Sequence, residues 1–126
     1  SHLAAMAVHA YLSKNGDEYV EIVSESLKMK RDAMLSALGE YFGPKCEWTA
    51  PHGGMMVWVK LPEGADTWEA LDSAVEANVK YNPGPVFRAG RDRNNYLRLT
   101  YSHNTPEEIR EGIAILAGVF SRKGFF

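Results

Sequence analysis

The residue best suited to chemistry is Arg98, which lies between two leucines in the middle of a strand-like run, residues 94–102. Alternation along a strand places those leucines and Tyr101 on one face, and Arg98 on the other, less apolar face with Tyr96 and Thr100. The guanidinium is a permanently charged fork whose geometry suits a carboxylate held by two parallel hydrogen bonds. Arg98 therefore requires an acceptor, which is either a glutamate in a structural ion pair or a ligand.

The other residues that could carry chemistry do not form a self-sufficient active site. The chain has no Gly-x-Ser-x-Gly elbow, no glycine-rich phosphate loop and no Gly-x-Gly-x-x-Gly fingerprint. Its acidic residues fall mostly on predicted helix faces or caps, so paired carboxylates for acid and base work are not indicated. Two turns, Gly53-Gly54 and Pro83-Gly84-Pro85, permit close backbone approach, and each either lines a site or simply bounds a strand.

The single cysteine and the four histidines give no signal for a metal or a nucleophile. Because Cys46 is the only cysteine, the chain cannot form an internal disulfide or a multi-cysteine zinc site. The histidines, at positions 2, 9, 52 and 103, lack the i, i+3 or i, i+4 spacing of a helical metal site. A nucleophile pair made of a cysteine and a histidine has no local support either. We therefore predict no metal, and the cysteine content favours a reducing, cytoplasmic location.

Length and charge exclude several classes of protein. The chain has 126 residues, of which 45% are hydrophobic, so it has the size of one domain with a real core. Fourteen basic and sixteen acidic residues leave a net charge of −2, and the basic residues are scattered. Their one local cluster, Arg88 to Arg93, is interpreted as a solvated loop rather than a phosphate site. No apolar run is long enough to cross a bilayer and no secretory signal opens the chain, so we expect neither a nucleic acid nor a membrane partner.

Helical patterns dominate the first third of the sequence. Residues Leu3 to Leu12 are predicted to form a short helix that is ended by Ser13 to Gly16. A second, longer helix follows, with apolar residues at three-, four- and seven-residue intervals as far as Leu38, and Gly43-Pro44 ends it. An apolar first helix without a cap is expected in a piece of a larger protein.

The remaining two thirds alternate strands with helices. Strands are predicted over residues 46–48, 55–61, 79–82 and 94–102. One helix follows Asp66 and Glu69, which stand in the relation of a capping box, and the last helix follows Thr105, Pro106 and Glu108. This order predicts an α+β fold, in which helices pack on one face of a small, mostly antiparallel sheet. The other face of such a sheet is open.

Five segments, taken in order, resemble one family of enzymes. Residues 30–38 resemble a long linking helix with the signature RRDAML-AL, and residues 51–59 resemble a strand with the signature P-GGMF-W. Residues 82–87 are similar to a PG--F loop, and residues 96–101 followed by 105–109 match an LRLSF strand and the helix after it. Together they resemble the C-terminal small domain of the fold type I, class I/II aminotransferases that depend on pyridoxal phosphate, in the branch of aminoadipate, kynurenine and aromatic aminotransferases.

The resemblance implies a role for the strand arginine. In that family the matching arginine binds the α-carboxylate of the amino acid substrate, so this role is implied for Arg98. Thr100 and Tyr101 stand where serine and phenylalanine are more usual, and these conservative changes leave the role of the arginine intact.

The resemblance also implies parts that lie outside this sequence. These enzymes hold pyridoxal 5'-phosphate in a large domain, which supplies the Schiff-base lysine, an aspartate for the pyridine nitrogen and the phosphate-binding loop. That domain would precede Ser1, and no lysine of this chain has the Schiff-base context. We therefore expect residues 1–126 to be one small domain that contacts its own large domain, in a homodimeric parent that acts on amino acids and 2-oxo acids. The isolated chain is expected to be inactive.

Two other functions remain open from the sequence. In one, an aminotransferase-like domain follows a winged-helix DNA-binding domain in a transcriptional regulator, and Arg98 senses an amino acid or the cofactor adduct without turnover. In the other, the chain is a free-standing α+β interaction module in which Arg98 is structural. A basic winged helix at the N-terminus of the parent would favour the regulator over the enzyme.

Overall fold

The computed structural model describes residues 1–87, 89–90 and 94–126, and within them the chain forms three α-helices and a four-stranded sheet. In chain order the elements are α1 (His2–Tyr41), β1 (Glu47–Trp48), β2 (Met56–Lys60), α2 (Leu71–Glu76), β3 (Asn82–Pro83), a 3-10 turn (Gly84–Phe87), β4 (Tyr96–Thr100) and α3 (Pro106–Arg122). The predicted α+β fold with a small antiparallel sheet is confirmed.

Strand β4 is an inner strand of the sheet and lies between β2 and β3. The strand order is β1-β2-β4-β3, and every neighbouring pair is antiparallel. Across β4, Arg98 is opposite Trp58 of β2 on one side and opposite Asn82 of β3 on the other. Residues directly opposite each other in a sheet point to the same face. These three side chains therefore form a row across one face.

The other face of the sheet carries the core. Leu97 and Leu99 of β4 are 0% and 5% exposed, and Val57 and Val59 of β2 are fully buried. Helices α1 and α3 pack against each other and contribute their buried residues to the same cluster. Arg98, on the opposite side of β4, is only half-buried. The sheet therefore has one face covered by helices and one face that carries Arg98.

The predicted break in the first helix is wrong, because α1 runs without interruption from His2 to Tyr41. Gly16 lies inside it without a positive φ, so its backbone freedom is not used to end the helix. Ser13 Oγ donates a hydrogen bond to His9 O at 2.7 Å, and Asn15 Nδ2 donates one to Tyr11 O at 3.1 Å. These polar side chains bond back to carbonyls of the preceding turn and do not compete with the helix.

The predicted strand over residues 79–82 is also largely wrong, because β3 is only Asn82–Pro83. The backbone N–H of Val79 donates to Ala74 O at 2.9 Å, and Asn78 has a φ of 63°, so this segment completes the end of α2. Tyr81 is buried and donates its hydroxyl to Thr67 O at 2.6 Å. Val79 and Tyr81 resemble strand residues in the sequence, but Val79 completes the end of α2 and Tyr81 packs in the core.

Two further predictions are changed in detail. Asp66 Oδ1 accepts hydrogen bonds from the backbone N–H groups of Trp68 and Glu69 at 2.9 and 3.1 Å, but α2 begins only at Leu71. Asp66 therefore caps the turn that precedes the helix. The solvated loop predicted at Arg88 to Arg93 falls mostly outside the described residues, which omit residues 88 and 91–93.

The predicted cap of the last helix is confirmed. Thr105 Oγ1 accepts a hydrogen bond from the backbone N–H of Glu108 at 3.2 Å, and Glu108 Oε2 accepts one from the backbone N–H of Thr105 at 2.9 Å. Pro106 occupies the first helical position, where no N–H is needed. This reciprocal box fixes the start of α3, whose buried face packs on α1.

Replacing Thr105 by alanine is expected to destabilise the fold by about 1 kcal/mol, because the N–H of Glu108 loses its acceptor. Thr105→Ser keeps an oxygen at the same place and serves as the matched control. Urea unfolding followed by circular dichroism measures both variants. Equal stability of the alanine and serine variants would show that the capping box does not stabilise α3.

The same box predicts a pH dependence of stability. The backbone N–H of Thr105, and then the amide of Asn104, hold the pKa of Glu108 below its ordinary value of 4.5. As the pH falls below about 4.5 the unfolded carboxyl takes up its proton first, so acidification favours the unfolded state. The stabilisation from Glu108 is thus complete above this pH and is lost as the pH falls through the folded pKa. Unfolding curves from pH 6 to pH 3 should show Glu108→Gln losing less stability than the wild type on acidification.

Candidate functional site

The candidate site is the open face of the sheet around Arg98. Strand β4 holds this residue between two strands, so its backbone is fixed on both sides. The alternation of β4 directs Leu97 and Leu99 into the core and leaves Arg98 no other face. The sequence prediction that Arg98 projects from the less apolar face of its strand is therefore confirmed.

Aromatic rings form one wall beside the guanidinium. The Cζ atom of Arg98 lies 4.1 Å from the centroid of the Phe87 ring, which is a cation–π contact. The Phe87 ring meets Trp58 edge-on at 5.8 Å, and Trp58 stacks on Tyr96 at 5.9 Å. The rings come from β2, from the 3-10 turn and from β4, so three separate segments of the chain meet at this wall.

Arg98 has no anionic partner among the described residues. Three other basic side chains form salt bridges: Arg31 with Asp32, Lys60 with Glu47 and Arg110 with Glu40. In the part of the chain that the structure describes, no carboxylate forms a salt bridge with Arg98, and its Nε atom is buried without a hydrogen-bond acceptor. Of the two acceptors that the sequence left open, the described residues therefore do not provide the glutamate.

An open pocket of about 250 Å³ lies beside Arg98. Asn82 and Thr100 line it from the two strands, and Lys80 and His103 line it from the adjoining loops. None of the side chains that line it is acidic. The pocket therefore offers nitrogen and hydroxyl donors and two basic residues, which suit an anionic group more than a cation.

The turn that carries Phe87 is seated directly on β4. A Cβ atom added to Gly84 would lie 2.6 Å from the Cβ of Tyr96 and 2.7 Å from its carbonyl oxygen. Only glycine permits such close approach of the turn to the strand. The buried Thr67 hydroxyl also lies near this carbonyl, 2.7 Å from Tyr96 O and 2.8 Å from Asn94 O. The loop Pro83-Gly84-Pro85 therefore does more than end a strand, because it positions the aromatic wall.

The remaining sequence candidates lie away from Arg98 or carry no chemistry. Cys46 is buried, and burial raises the pKa of its thiol, which disfavours the reactive thiolate. Gly54, with a φ of 82°, makes the turn into β2 and accepts a hydrogen bond from the hydroxyl of Tyr101 at 2.8 Å. No group of three His, Cys, Asp or Glu residues in the described ranges could hold a metal ion.

Sequence reasoning did not find the contact between Arg98 and Phe87. In the sequence, Phe87 and Trp58 stand out only as members of two separate motifs. A cross-strand register would have been needed to bring Trp58 opposite Arg98, and the register depends on pairing between strands that are distant in sequence. Once the two strands are paired, alternation alone would have placed Trp58 on the face of Arg98.

The comparison with known families identifies the class of this domain. The family described as aminotransferase class I and II matches residues 1–116 of the chain. The chain belongs to this family of aminotransferases.

Individual relatives fall in the predicted branch. The aromatic-amino-acid aminotransferase 1 of Thermococcus litoralis is 46% identical over 101 residues, which are 80% of this chain and 24% of that protein. The crystal structure of LysN, the α-aminoadipate aminotransferase of Thermus thermophilus, matches with a TM-score of 0.87 and 35% identity over 93% of this chain and 30% of that chain. The similarity to aromatic and aminoadipate aminotransferases is thereby confirmed.

A transcriptional regulator is also similar. The uncharacterized HTH-type regulator YisV of Bacillus subtilis is 30% identical over 118 residues, which are 93% of this chain and 24% of that protein. The chain spans about a quarter of the length of the curated relatives that it matches. No helix in the described part of the chain is long and apolar enough to span a membrane.

The close packing of Gly84 against Tyr96, which positions the turn that carries Phe87, can be tested by substitution. Gly84→Ala is expected to destabilise the protein by about 1–3 kcal/mol, because its methyl group would overlap the Tyr96 backbone. Gly112→Ala in α3 is the matched control, since no atom lies within 4 Å of the added methyl group. That change should stabilise the helix by about 0.5–1 kcal/mol. Thermal unfolding measures both variants, and equal shifts of the unfolding temperature in the same direction would contradict the close packing of Gly84 against Tyr96.

Proposed function

We propose that this chain is the C-terminal small domain of an aminotransferase that moves an amino group between an α-amino acid and a 2-oxo acid, and that Arg98 binds the substrate α-carboxylate. One observation carries the role of the arginine: a half-buried guanidinium on an open face has no acid partner among the described residues. Family membership supports amino-group transfer as the reaction of the whole protein.

The surroundings of Arg98 suit a carboxylate. A carboxylate accepts two parallel N–H···O bonds from a guanidinium, and these hydrogen bonds are stronger where water is partly excluded. Phe87 and Trp58 supply an apolar wall on one side, and the pocket beside Asn82 contains no acidic side chain. Binding there would orient the α-carbon of the substrate relative to groups outside this chain.

Pyridoxal 5'-phosphate is the cofactor that we propose for the whole protein. LysN has been solved with N-(5'-phosphopyridoxyl)-L-leucine, a cofactor joined to an amino acid. The described lysines do not fit a cofactor site: none is buried, Lys30 donates to Ser102 O at 2.9 Å, and Lys60 pairs with Glu47. Bound in an aminotransferase, the cofactor acts as an electron sink during amino transfer. We therefore assign its binding to a separate large domain and give this chain the substrate carboxylate.

The same division of roles determines the other proposed properties. The isolated 126-residue chain should be inactive, because the cofactor site lies elsewhere. Its partners would be the amino acid and 2-oxo acid substrates, its own large domain and a second copy in a homodimer. A cytoplasmic location remains a prediction from the cysteine content.

The regulator and the free-standing module receive less support. The Thermococcus aminotransferase shares 46% identity with this chain, whereas YisV shares 30%. The matched segments are only 24%, 21% and 28% of the first three relatives, which does not favour an independent module. The gene that encodes the chain separates the enzyme from the regulator, since a basic winged helix upstream would indicate a regulator.

Replacing Arg98 by lysine in the full-length enzyme tests the role of the arginine. The charge remains but the two parallel hydrogen bonds are lost, so kcat/KM for the amino acid should fall about 10- to 100-fold, chiefly through KM. Arg110→Lys is the matched control, because Arg110 lies on α3 and pairs with Glu40. Steady-state kinetics with both the amino acid and the 2-oxo acid measure the effect. If Arg98→Lys behaves like Arg110→Lys, the proposed role is wrong.

A further inference from the structure

Phe87 contacts the guanidinium of Arg98 without offering it a hydrogen-bond acceptor. The Cζ atom of Arg98 lies over the face of the Phe87 ring, 4.1 Å from the ring centroid. The N–H groups of a guanidinium point outward in its own plane, so a ring that stacks on the guanidinium face would leave them available to a ligand. One buried N–H-bearing atom, Nε, has no acceptor in the structure. The ring therefore restrains the group without taking up its hydrogen bonds.

Phe87 is itself held in place. Its ring meets Trp58 edge-on at 5.8 Å with an interplanar angle of 72°, and Trp58 stacks on Tyr96. Phe87 closes the 3-10 turn that begins at Gly84, and Gly84 is seated against β4. The ring is nevertheless 43% exposed, so its packing alone does not explain an aromatic residue here.

We propose that Phe87 is a positioning residue for Arg98: its ring fixes the plane of the guanidinium so that the fork meets an incoming carboxylate edge-on. The inference rests on the proposed function of Arg98 and names the residue that gives this site its geometry. An arginine side chain has several rotatable bonds, and without the ring these would have to be ordered when the ligand binds. The ring performs this ordering in advance.

Two substitutions at Phe87 separate the ring from its bulk. Phe87→Leu removes the aromatic face, and binding of a carboxylate should weaken about three- to thirtyfold. Phe87→Tyr keeps the face and should stay within about twofold of the wild type. Val86→Ala is the matched control, because Val86 belongs to the same turn, is 56% exposed and has no aromatic ring to place over the guanidinium.

The measurements use the full-length enzyme. Calorimetric titration with 3-phenylpropionate, a carboxylate without an amino group, reports on the arginine without turnover, and KM and kcat for the amino acid are measured in parallel. A positioning role predicts that Phe87→Leu raises the dissociation constant and KM more than it lowers kcat. Thermal unfolding of each variant shows whether the fold is retained.

A double-mutant cycle identifies what Phe87 acts through. If the ring orients the guanidinium, Phe87→Leu should have less than a twofold effect on carboxylate binding in the Arg98→Lys background. An equal effect in both backgrounds would overturn the proposal, as would wild-type binding by a folded Phe87→Leu variant. The two hypotheses fail differently: if Arg98→Lys weakens binding and Phe87→Leu does not, only the positioning role is lost. If Arg98→Lys has no effect, the role of Arg98 is lost and that of Phe87 with it.

Discussion

The alternation of β4 is the constraint on which the site depends. Leu97 and Leu99 must be buried against the helices, and a shift of one residue in the register would bring Arg98 into the core instead. Burying an unpaired guanidinium costs far more than exposing a leucine. The core thus fixes the place of Arg98 on the open face, even though the described residues give this charge no anionic partner.

An arginine held in this way retains an unfulfilled capacity to bind. The buried Nε of Arg98 has no acceptor, and a buried polar group without a partner costs about 1–3 kcal/mol. A protein that only needed to stabilise itself could place an acid beside it, as it does at Lys60 with Glu47 and at Arg110 with Glu40. Of the guanidinium nitrogens of Arg98, only Nε is buried without a partner, so the terminal N–H groups of this half-buried side chain are the ones that a ligand carboxylate could reach.

Features that depend only on neighbouring residues, such as the alternation of β4 and the cap of α3, were predicted correctly from the sequence. The two faces of β4 follow from alternation, and the start of α3 follows from the spacing of Thr105 and Glu108. Gly16 misled the prediction of α1, because a glycine indicates a helix end only where the chain leaves the helical conformation, and neighbouring turns kept it helical. The strand predicted over residues 79–82 was placed too early, because the short β3 forms by pairing with β4 and has no pattern of its own.

The candidate site could be predicted only in part for the same reason. Arg98 is conspicuous in the sequence because a charge lies between leucines, but the environment of its guanidinium is assembled from Phe87, 11 residues away, and Trp58, 40 residues away. That assembly depends on the antiparallel register of β2 and β4 and on the lack of a side chain at Gly84. Contacts that arise from strand pairing and from a missing Cβ have no local signature. The residue proposed to bind is therefore easier to predict from the sequence than the residues proposed to orient it, and this asymmetry is expected wherever one charged group is positioned by apolar neighbours.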